Sequence, residues 1–295
     1  MEEEVKQNYL EAGEIVQKAR DKARDEAEDG RNLKDIAEAI ENLIRNEGLK
    51  PAFPVNMSLN DEAAHYTPSK EEERVLSKDD VLKIDIGAHS NGYIADTALT
   101  VNPSGKYKEQ IETVEKVLKN ALEFIEPGKT VGEFGSYVEN QVPDGLTPVV
   151  NLTGHSLGRY TQHAGLSIPN VSNTNNYTFE KGDAVAIEPF ISLGSGKVAN
   201  GKEGNIYKLE SDKARGRTPR KVIKKAKKFN DLPFTDRWMD LEGKEKFAFK
   251  RLVKSGQIHS YPVLKDTDKV FQAEHTVLIG EGADGQNIVT TRRTS

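Results

Sequence analysis

The sequence has 295 residues, 36% hydrophobic and 30% charged, with a formal net charge of -5. It can therefore form one large domain or two halves sharing a core, and offers no global argument for nucleic-acid binding. It contains no cysteine, which excludes disulfides and thiolate metal sites. Because an acidic run follows Met1 and no apolar run approaches the roughly 20 residues that span a bilayer, a soluble cytoplasmic protein without a membrane partner is expected.

Amphipathic helices are predicted at the start of each half of the chain. Residues 3–28 carry apolar side chains at helical spacing among many charged ones. A second helix is predicted from about Leu33 to Asn46, because an apolar face ends there before Gly48. The same periodicity predicts further helices, over residues 108–125 and 131–140.

Alternating apolar residues predict strands over 81–86 and 93–100, joined by Asn91-Gly92, a strong signal for a two-residue hairpin. In that register Asp85 faces Ala98, and Asp96 lies two positions away. Both carboxylates would then emerge on one face, roughly 7–8 Å apart at the backbone. Later strands are predicted over residues 184–191, 271–279 and 287–291.

The chain also repeats itself. Four short segments recur in the same order at a nearly constant separation: I-E-N (40–42) as V-E-N (138–140), G-L-K-P (48–51) as G-L-T-P (145–148), V-N-M-S (55–58) as V-N-L-T (150–153), and K-D-D-V-L-K-I-D (78–85) as K-G-D-A-V-A-I-E (181–188). The order and spacing predict two related halves, with Asp85 and Glu188 ending matching strands. A ligand site between the halves would follow.

Residues 206–260 interrupt this pattern and are predicted to form an insertion in the second half. Residues 213–228 are strongly basic, and Ser255-Gly256 ends a helical stretch that begins near Glu242. A solvated helix face is the common explanation for such a basic run. The alternative is contact with ribosomal RNA.

Four carboxylates and one imidazole stand in contexts that suit metal ligands: Asp85 in K-I-D-I-G, Asp96 in I-A-D-T-A, His155 in T-G-H-S-L, Glu188 in A-I-E-P-F and Glu274 in Q-A-E-H-T. The carboxylates lie beside apolar residues, where a lone charge is costly to bury unless it is paired or metal-bound. An oxygen-rich set with one imidazole suits divalent cations, and two ions can share bridging carboxylates. The pattern therefore indicates a dinuclear hydrolase.

These motifs resemble the methionine aminopeptidases of the pita-bread (creatinase) fold, especially the archaeal type II branch. The likeness extends to F-P-V-N at 53–56, A-A-H-Y-T-P at 63–68 and H-A-G at 163–165, and covers essentially the whole chain. It implies an α+β fold of two pseudo-symmetric halves, with an antiparallel sheet and outer helices. Residues 1–205 and 261–295 would form the catalytic domain, and residues 206–260 the helical insertion typical of type II.

The resemblance also implies two divalent ions per chain (Co, Mn, Fe or Zn), with Asp85 holding one, His155 and Glu188 the other, and Asp96 and Glu274 bridging them. It implies a metal-bridging hydroxide as nucleophile, with Glu188 as the acid/base. His163 matches the family histidine that binds the substrate amide and stabilises the tetrahedral intermediate. His65 matches a second active-site histidine, although A-A-H-Y alone is better explained by a partly buried structural histidine.

The implied reaction removes the N-terminal methionine from nascent proteins and peptides whose second residue is small. Phe53, Ile206, Tyr261 and Leu264 fall at the family's methionine pocket, although core packing explains each of them at least as well from the residues alone. Gln162 departs from the family, in which Ile or Leu is usual, so the shape of the pocket stays open. A monomer is expected.

Two other functions share this fold. A prolidase or proline-specific aminopeptidase would use the same five ligands, but the F-P-V-N and A-A-H-Y-T-P segments and the insertion argue against it. A non-catalytic adaptor would have lost ligands that this chain retains. His89 and His259 are predicted at the surface, and His275, next to Glu274 on a strand, is predicted to point to the opposite face.

Overall fold

The computed structural model describes residues 1–292, which fold into helices and antiparallel strands, as the predicted α+β class requires. The helices are α1 Glu3–Glu26, α2 Leu33–Asn46, α3 Lys108–Phe124, α4 Val131–Glu139, α5 Arg217–Ala226 and α6 Lys244–Lys254. The strands of the first half are β1 Lys50–Pro51, β2 Asn56–Leu59, β3 Glu62–Ala64, β4 Leu82–Ser90 and β5 Tyr93–Val101. Those that follow are β6 Thr147–Pro148, β7 Thr153–Ser156, β8 Ser167–Pro169, β9 Ala184–Ile187, β10 Phe190–Ser192, β11 Ala199–Leu209, β12 Ile258–Lys265, β13 Val270–Gln272, β14 His275–Leu278 and β15 Ile288–Val289.

The helices of the two halves begin and end within two residues of their predicted bounds. Apolar side chains at helical spacing explain the match, because α1 and α2 bury one face each against β2, β4 and β5. In the second half, α3 and α4 share a separate hydrophobic core with β9, β10, β13 and β14. Two helices on a sheet therefore recur in each half. None of the helices within residues 1–292 is long and apolar enough to span a membrane.

Strands β4 and β5 form the predicted hairpin around Asn91 and Gly92. Both turn residues have positive φ, 50° and 94°, as a type I′ turn requires. Asp85 pairs with Ala98 across the hairpin, so the register predicted from the sequence is confirmed.

Two strands predicted as continuous are each divided in the structure. The stretch 184–191 breaks at Glu188, and the stretch 271–279 breaks at Glu274. On either side of the breaks the segments belong to different sheets, in the orders β15-β14-β9-β7-β8 and β13-β10-β6. Pro189 has no N–H to continue a ladder, and the Glu274 N–H donates instead to the carbonyl of Ala98 at 3.1 Å. Both glutamates therefore lie where the chain passes from one sheet to another.

The internal repeat appears as matching strand registers. Pro51 pairs with Ala88, the third residue after Asp85, and Pro148 pairs with Ile191, the third residue after Glu188. Residues 50–51 and 147–148, which belong to the second sequence echo, thus occupy equivalent places in the two halves.

The third sequence echo, V-N-M-S with V-N-L-T, is shifted by two residues from the correspondence that strand pairing gives. Ser58 pairs with Lys83, two residues before Asp85, and His155 pairs with Ala186, two residues before Glu188. Ser58 therefore corresponds to His155, whereas the V-N-M-S and V-N-L-T echo aligned it with Thr153. His155, a candidate metal ligand in the second half, therefore has Ser58 as its counterpart in the first half. The prediction that both acids end their strands is wrong for Asp85, because β4 continues through Asp85 to Ser90, whereas β9 ends just before Glu188.

The segment 206–260 begins in strand β11 and ends in strand β12. Strand β12 pairs with β11 and, through Leu264, with Ala64 of β3. Between these strands, α5 and α6 pack on each other around a hydrophobic cluster of their own, which includes Val222 and Phe249. Helix α6 begins at Lys244, close to its predicted start near Glu242. Helix α5 carries most of the basic run and buries only its apolar side.

Candidate metal centre

The five predicted ligands reach one cavity from both halves of the molecule. Asp85 and Asp96 project from β4 and β5, His155 projects from β7, and Glu188 and Glu274 lie at the two strand breaks. All five line a single cavity of about 310 Å³. The structure therefore brings together side chains that span 190 positions of sequence, from 85 to 274.

The ligand atoms lie close enough to share bound cations. The Nε2 atom of His155 is 3.5 Å from Glu188 Oε1 and 3.9 Å from Asp96 Oδ2. One ligand atom from each of Asp96, His155 and Glu274 forms a group in which all lie within 4.8 Å of one another. This spacing is suited to side chains that converge on a metal ion.

The carboxylates are buried together, and this changes their acidity. Burial and the neighbouring carboxylates raise the pKa values of Asp85, Glu188 and Glu274 well above their usual range. Burial also raises the pKa of Asp96 to about 7, although hydrogen bonds from Gln162 and Asp85 oppose the rise. Their common burial therefore opposes the simultaneous ionisation of all four carboxyl groups.

The donor set fits divalent cations. Asp85 Oδ1 and Asp96 Oδ1 are buried and have no hydrogen-bond partner among residues 1–292. Within that range no lysine or arginine lines the cavity, and Arg20, which lies outside it, lowers the pKa of Glu274 but does not prevent its overall rise. Burial, followed by the nearby His163, lowers the pKa of His155 to about 3, which keeps its imidazole neutral and able to coordinate. Four carboxylates and a neutral imidazole match the ligand preferences of Mn, Fe, Co and Zn.

The structure places His163 beside the ligand group on an exposed loop. Its ring centroid lies 4.3 Å from that of His155, at an interplanar angle of 79°. The loop is fixed to the hairpin tip, because Tyr160 N donates to Gly92 O at 2.8 Å and Arg159 Nε donates to Asn91 O at 3.0 Å. His163 is therefore held over the cavity, and its ring nitrogens do not belong to the closely spaced group of ligand atoms.

His65 also lines the cavity, and its backbone is strained. Its φ is 66°, a value uncommon for a residue other than glycine and often found at functional sites. Its N–H donates to Asn56 Oδ1 at 2.9 Å, and its ring lies 5.4 Å from that of Tyr261. Burial, followed by His163, lowers the pKa of His65 to about 4, so the imidazole is neutral. The structure thus brings His65 and His163 to one cavity.

The apolar wall of the same cavity includes all four residues predicted for substrate binding, Phe53, Ile206, Tyr261 and Leu264. Phe53 belongs to the first half, Ile206 to β11, and Tyr261 and Leu264 to β12. Both halves and the 206–260 segment therefore contribute to the cavity.

Several lining residues were missed by the sequence reading: Asn56, Ala64, Asn151, Leu152, Thr153, Phe190, Pro233 and Gln272. A signal existed for two of them, because Asn56 and Asn151 are the asparagines of the V-N echo. Gln272 gave no such signal, although its Nε2 lies 3.5 Å from Glu188 Oε2. Gln162, noted as a departure from the family, donates to Asp96 Oδ2 at 3.4 Å.

The remaining histidines lie outside the cavity. His275 points away from the ligands and its Nδ1 lies 2.8 Å from Thr291 Oγ1, as its strand position predicted. His259 is exposed. The prediction that His89 is a surface residue is wrong: its ring packs against Tyr160, and its Nδ1 accepts a hydrogen bond from Gly92 N at 3.2 Å. The loop that carries His163 covers the hairpin tip, which the sequence did not reveal.

Sequence comparison places the chain among known proteins. The profile described as Metallopeptidase family M24 matches residues 7–218. The chain is 41% identical over 295 residues to a methionine aminopeptidase of Methanocaldococcus jannaschii, with 98% of this chain and 100% of that one covered. It is 42% identical over 279 residues to a methionine aminopeptidase of Pyrococcus horikoshii, with 92% and 95% covered.

Solved structures confirm the predicted pita-bread fold. The methionine aminopeptidase of Thermotoga maritima superposes with a TM-score of 0.71 at 20% identity, covering 99% of this chain and 98% of that one. A thermophilic Arx1 gives a TM-score of 0.84 at 18% identity, covering 100% and 92%. The prolidase of Pyrococcus furiosus gives 0.62 at 19% identity, covering 100% of this chain and 65% of that one. At these identities the likenesses concern the fold alone.

Proposed function

The chain belongs to metallopeptidase family M24 and, within it, to the methionine aminopeptidases, and from this premise we propose that it removes the N-terminal methionine from polypeptides whose second residue is small. It is a hydrolase of the exopeptidase type. The observation that supports the proposal most strongly is the convergence of all five family ligands on one cavity, next to an apolar wall.

Two divalent ions, when bound, would act as Lewis acids and make a water molecule acidic enough to attack a carbonyl at neutral pH. Asp85 would hold one ion, His155 and Glu188 the other, with Asp96 and Glu274 between them. Within residues 1–292, Asp85 Oδ1 and Asp96 Oδ1 lack hydrogen-bond partners and the cavity lining contains no lysine or arginine, and both observations support this assignment. Family membership implies divalent metal use, and the number two is our proposal.

Glu188 is proposed as the group that accepts the proton of the attacking water and delivers it to the leaving amine. Its burial and the neighbouring Asp96 raise its pKa, which favours transient protonation at neutral pH. Gln272 Nε2 lies 3.5 Å from its Oε2 and helps to fix its orientation. The carboxylate is therefore positioned to carry a proton within the cavity.

His163 and His65 are proposed to bind the substrate from either side. His163 would donate a hydrogen bond to the carbonyl oxygen of the scissile bond and stabilise the negative charge that develops there. His65 would contact the peptide beyond it. Both lie at the cavity, and neither belongs to the closely spaced group of ligand atoms.

The methionine side chain would occupy the wall formed by Phe53, Ile206, Tyr261 and Leu264. The free amine of the substrate would be recognised by the carboxylates and the ions, which limits cleavage to the first residue. The small cavity volume of about 310 Å³ supports a requirement for a small second residue.

We further propose that residues 1–205 and 261–295 form the catalytic domain and that residues 206–260 form an inserted subdomain. The independent hydrophobic cluster around α5 and α6 supports this division. A monomer acting on nascent chains in the cytoplasm, with the basic 213–228 run near the ribosome, would suit this substrate.

Peptide assays distinguish this function from that of a prolidase. The metal-loaded protein should release methionine from Met-Ala-Ser and leave an Xaa-Pro dipeptide intact. Cleavage of the dipeptide with no methionine release would identify the prolidase activity, and binding of RNA with no turnover of either substrate would identify the adaptor.

A further inference from the structure

A buried ion pair joins the first half of the molecule to the 206–260 segment. Glu41, on α2, and Arg237, in the short turn 236–238, form two parallel hydrogen bonds: Nη1 to Oε2 at 3.0 Å and Nη2 to Oε1 at 2.9 Å. Their side chains are only 1% and 2% exposed. Such a two-pronged contact fixes both distance and orientation.

Both partners make further hydrogen bonds that fix neighbouring segments. Trp238 Nε1 donates to Glu41 Oε2 at 2.7 Å, and Val55 N donates to Glu41 Oε1 at 3.3 Å. Arg237 Nε donates to Pro68 O at 2.8 Å. Segments around residues 55 and 68 are thus tied to the same pair of side chains.

The first-half segments tied to this pair carry one side of the cavity. Val55 lies between Phe53 and Asn56, which both line the cavity, and its carbonyl accepts a hydrogen bond from Thr67 Oγ1 at 2.8 Å. Thr67 also accepts from Arg237 Nη2 at 3.2 Å and lies two residues after the cavity residue at position 65.

The 206–260 side of the cavity connects to the pair as well. Asn205 Nδ2 donates to Thr67 O at 3.3 Å, and the next residue in sequence, Ile206, lines the cavity. Pro233, which also lines it, precedes Phe234, whose backbone exchanges hydrogen bonds of 2.7 and 2.8 Å with Tyr207.

The ligand side of the cavity meets this network at one place, because Asn56 pairs with Asp85 between β2 and β4, whereas β5 holds β4 from Leu82 to Ser90. Within residues 1–292, none of the five proposed ligands shares a hydrogen bond with Glu41 or Arg237. Outside the ligand group itself, the side chains of Asp96 and Glu188 bond to Gln162 and Gln272. A disturbance of the pair should therefore move the substrate wall and leave the metal ligands in place.

We propose that Glu41 and Arg237 are positioning residues, which fix the substrate-binding wall of the cavity by locking the 206–260 segment onto the Phe53–Asn56 segment. A buried ion pair contributes little net stability compared with an apolar replacement, so its value lies in the geometry that it imposes. The kinetic part of this inference rests on the proposed aminopeptidase function, whereas the structural part does not.

The kinetic test compares Arg237→Lys and Arg237→Met with Glu245→Gln, a matched control that removes the Lys225–Glu245 ion pair (2.7 Å) inside the 206–260 segment, away from the cavity. Lysine keeps the charge but cannot form the two-pronged contact, so Arg237→Lys remains a valid test if Arg237→Met does not fold. We expect KM for Met-Ala-Ser to rise about tenfold in Arg237→Lys, with kcat changed less than about threefold and metal content unchanged. An unchanged KM, or a fall in kcat with loss of metal, would overturn the inference.

Two further measurements are independent of turnover. Trp238, the single tryptophan of the chain, contacts Glu41 directly, so its fluorescence should change in Arg237→Lys and when free methionine is added to the wild type. Amide hydrogen exchange at Val55 and Tyr207 should accelerate in Arg237→Lys but not in Glu245→Gln. Absence of methionine release by the wild type would refute the proposed function. Unchanged amide exchange at Val55 and Tyr207 in Arg237→Lys would refute the positioning role, whether or not the wild type releases methionine.

Discussion

The Nε2 atom of His155 lies 3.5 Å from Glu188 Oε1, although His155 lies within strand β7 and Glu188 lies at the break between β9 and β10. The contact depends on the register in which β7 pairs with β9, because His155 lies opposite Ala186, two residues before Glu188. Strand pairing thus places the imidazole beside the carboxylate proposed to move protons.

Replacement of Glu188 tests that proton-transfer role. Glu188→Gln should retain the fold, because the amide has the same shape and needs less desolvation in a buried site. Turnover of Met-Ala-Ser should fall about 1,000-fold or more, since a base and one metal ligand are impaired together. Steady-state kinetics with metal analysis checks this expectation, and near-normal turnover with bound metal would refute the role.

Replacement of His163 separates substrate binding from metal binding. His163→Ala should lower kcat by about 100-fold, because a donor to the developing charge is lost, while metal content stays close to that of the wild type. Loss of both metals in His163→Ala would instead make His163 a ligand.

The buried carboxylates should make the metal-free protein less stable as pH rises. The folded-state pKa of Asp85 is raised, so the protein has its full stability below the unfolded value near 4 and loses it as pH rises toward the folded value. Asp85→Asn removes this ionisation. In chelated protein we expect the variant to be more stable than the wild type at pH 8.

Urea unfolding at several pH values measures this difference. The difference in unfolding free energy between Asp85→Asn and the wild type should narrow from pH 8 to pH 4, because the wild-type carboxyl becomes protonated over this range and is then uncharged like the amide. A gap that stays constant with pH, or that widens toward pH 4, would show that the raised pKa is absent.

The basic run 213–228 is tested by reversing three of its exposed lysines, Lys221 and Lys224 on α5 and Lys228 just after it. Lys225 and Lys227 are left in place because they pair with Glu245 and Asp212. Lys221→Glu, Lys224→Glu and Lys228→Glu together should weaken co-sedimentation with ribosomes and leave Met-Ala-Ser cleavage unchanged, because none of the three lysines lines the cavity. Unchanged co-sedimentation would indicate that these basic side chains form a solvent-exposed face and do not contact the ribosome.

The sequence predicted the parts of this structure that depend on local pattern. Apolar periodicity located the helices, Asn91-Gly92 gave the hairpin, and period-two alternation then gave the register that places Asp85 opposite Ala98. Four acids in apolar contexts, together with His155, were the candidates from the sequence, and all five converge on the cavity.

Features that depend on tertiary packing were not accessible to the same reasoning. The breaks at Glu188 and Glu274 arise because the chain changes sheets, and a run of apolar residues carries no record of such a crossing. The burial of His89 follows from a loop about 70 residues later that folds over the hairpin tip. The contact between Glu41 and Arg237 joins positions 196 residues apart, beyond the reach of any local pattern.

Metal quantification coupled to a methionine-release assay tests the central claim most directly. Protein purified without added metal is chelated, assayed on Met-Ala-Ser, and assayed again after addition of Mn, Fe, Co or Zn. The five converging ligands predict that chelation abolishes activity and that at least one ion restores it at two equivalents per chain. Full methionine release by protein that contains no measurable metal would contradict the account.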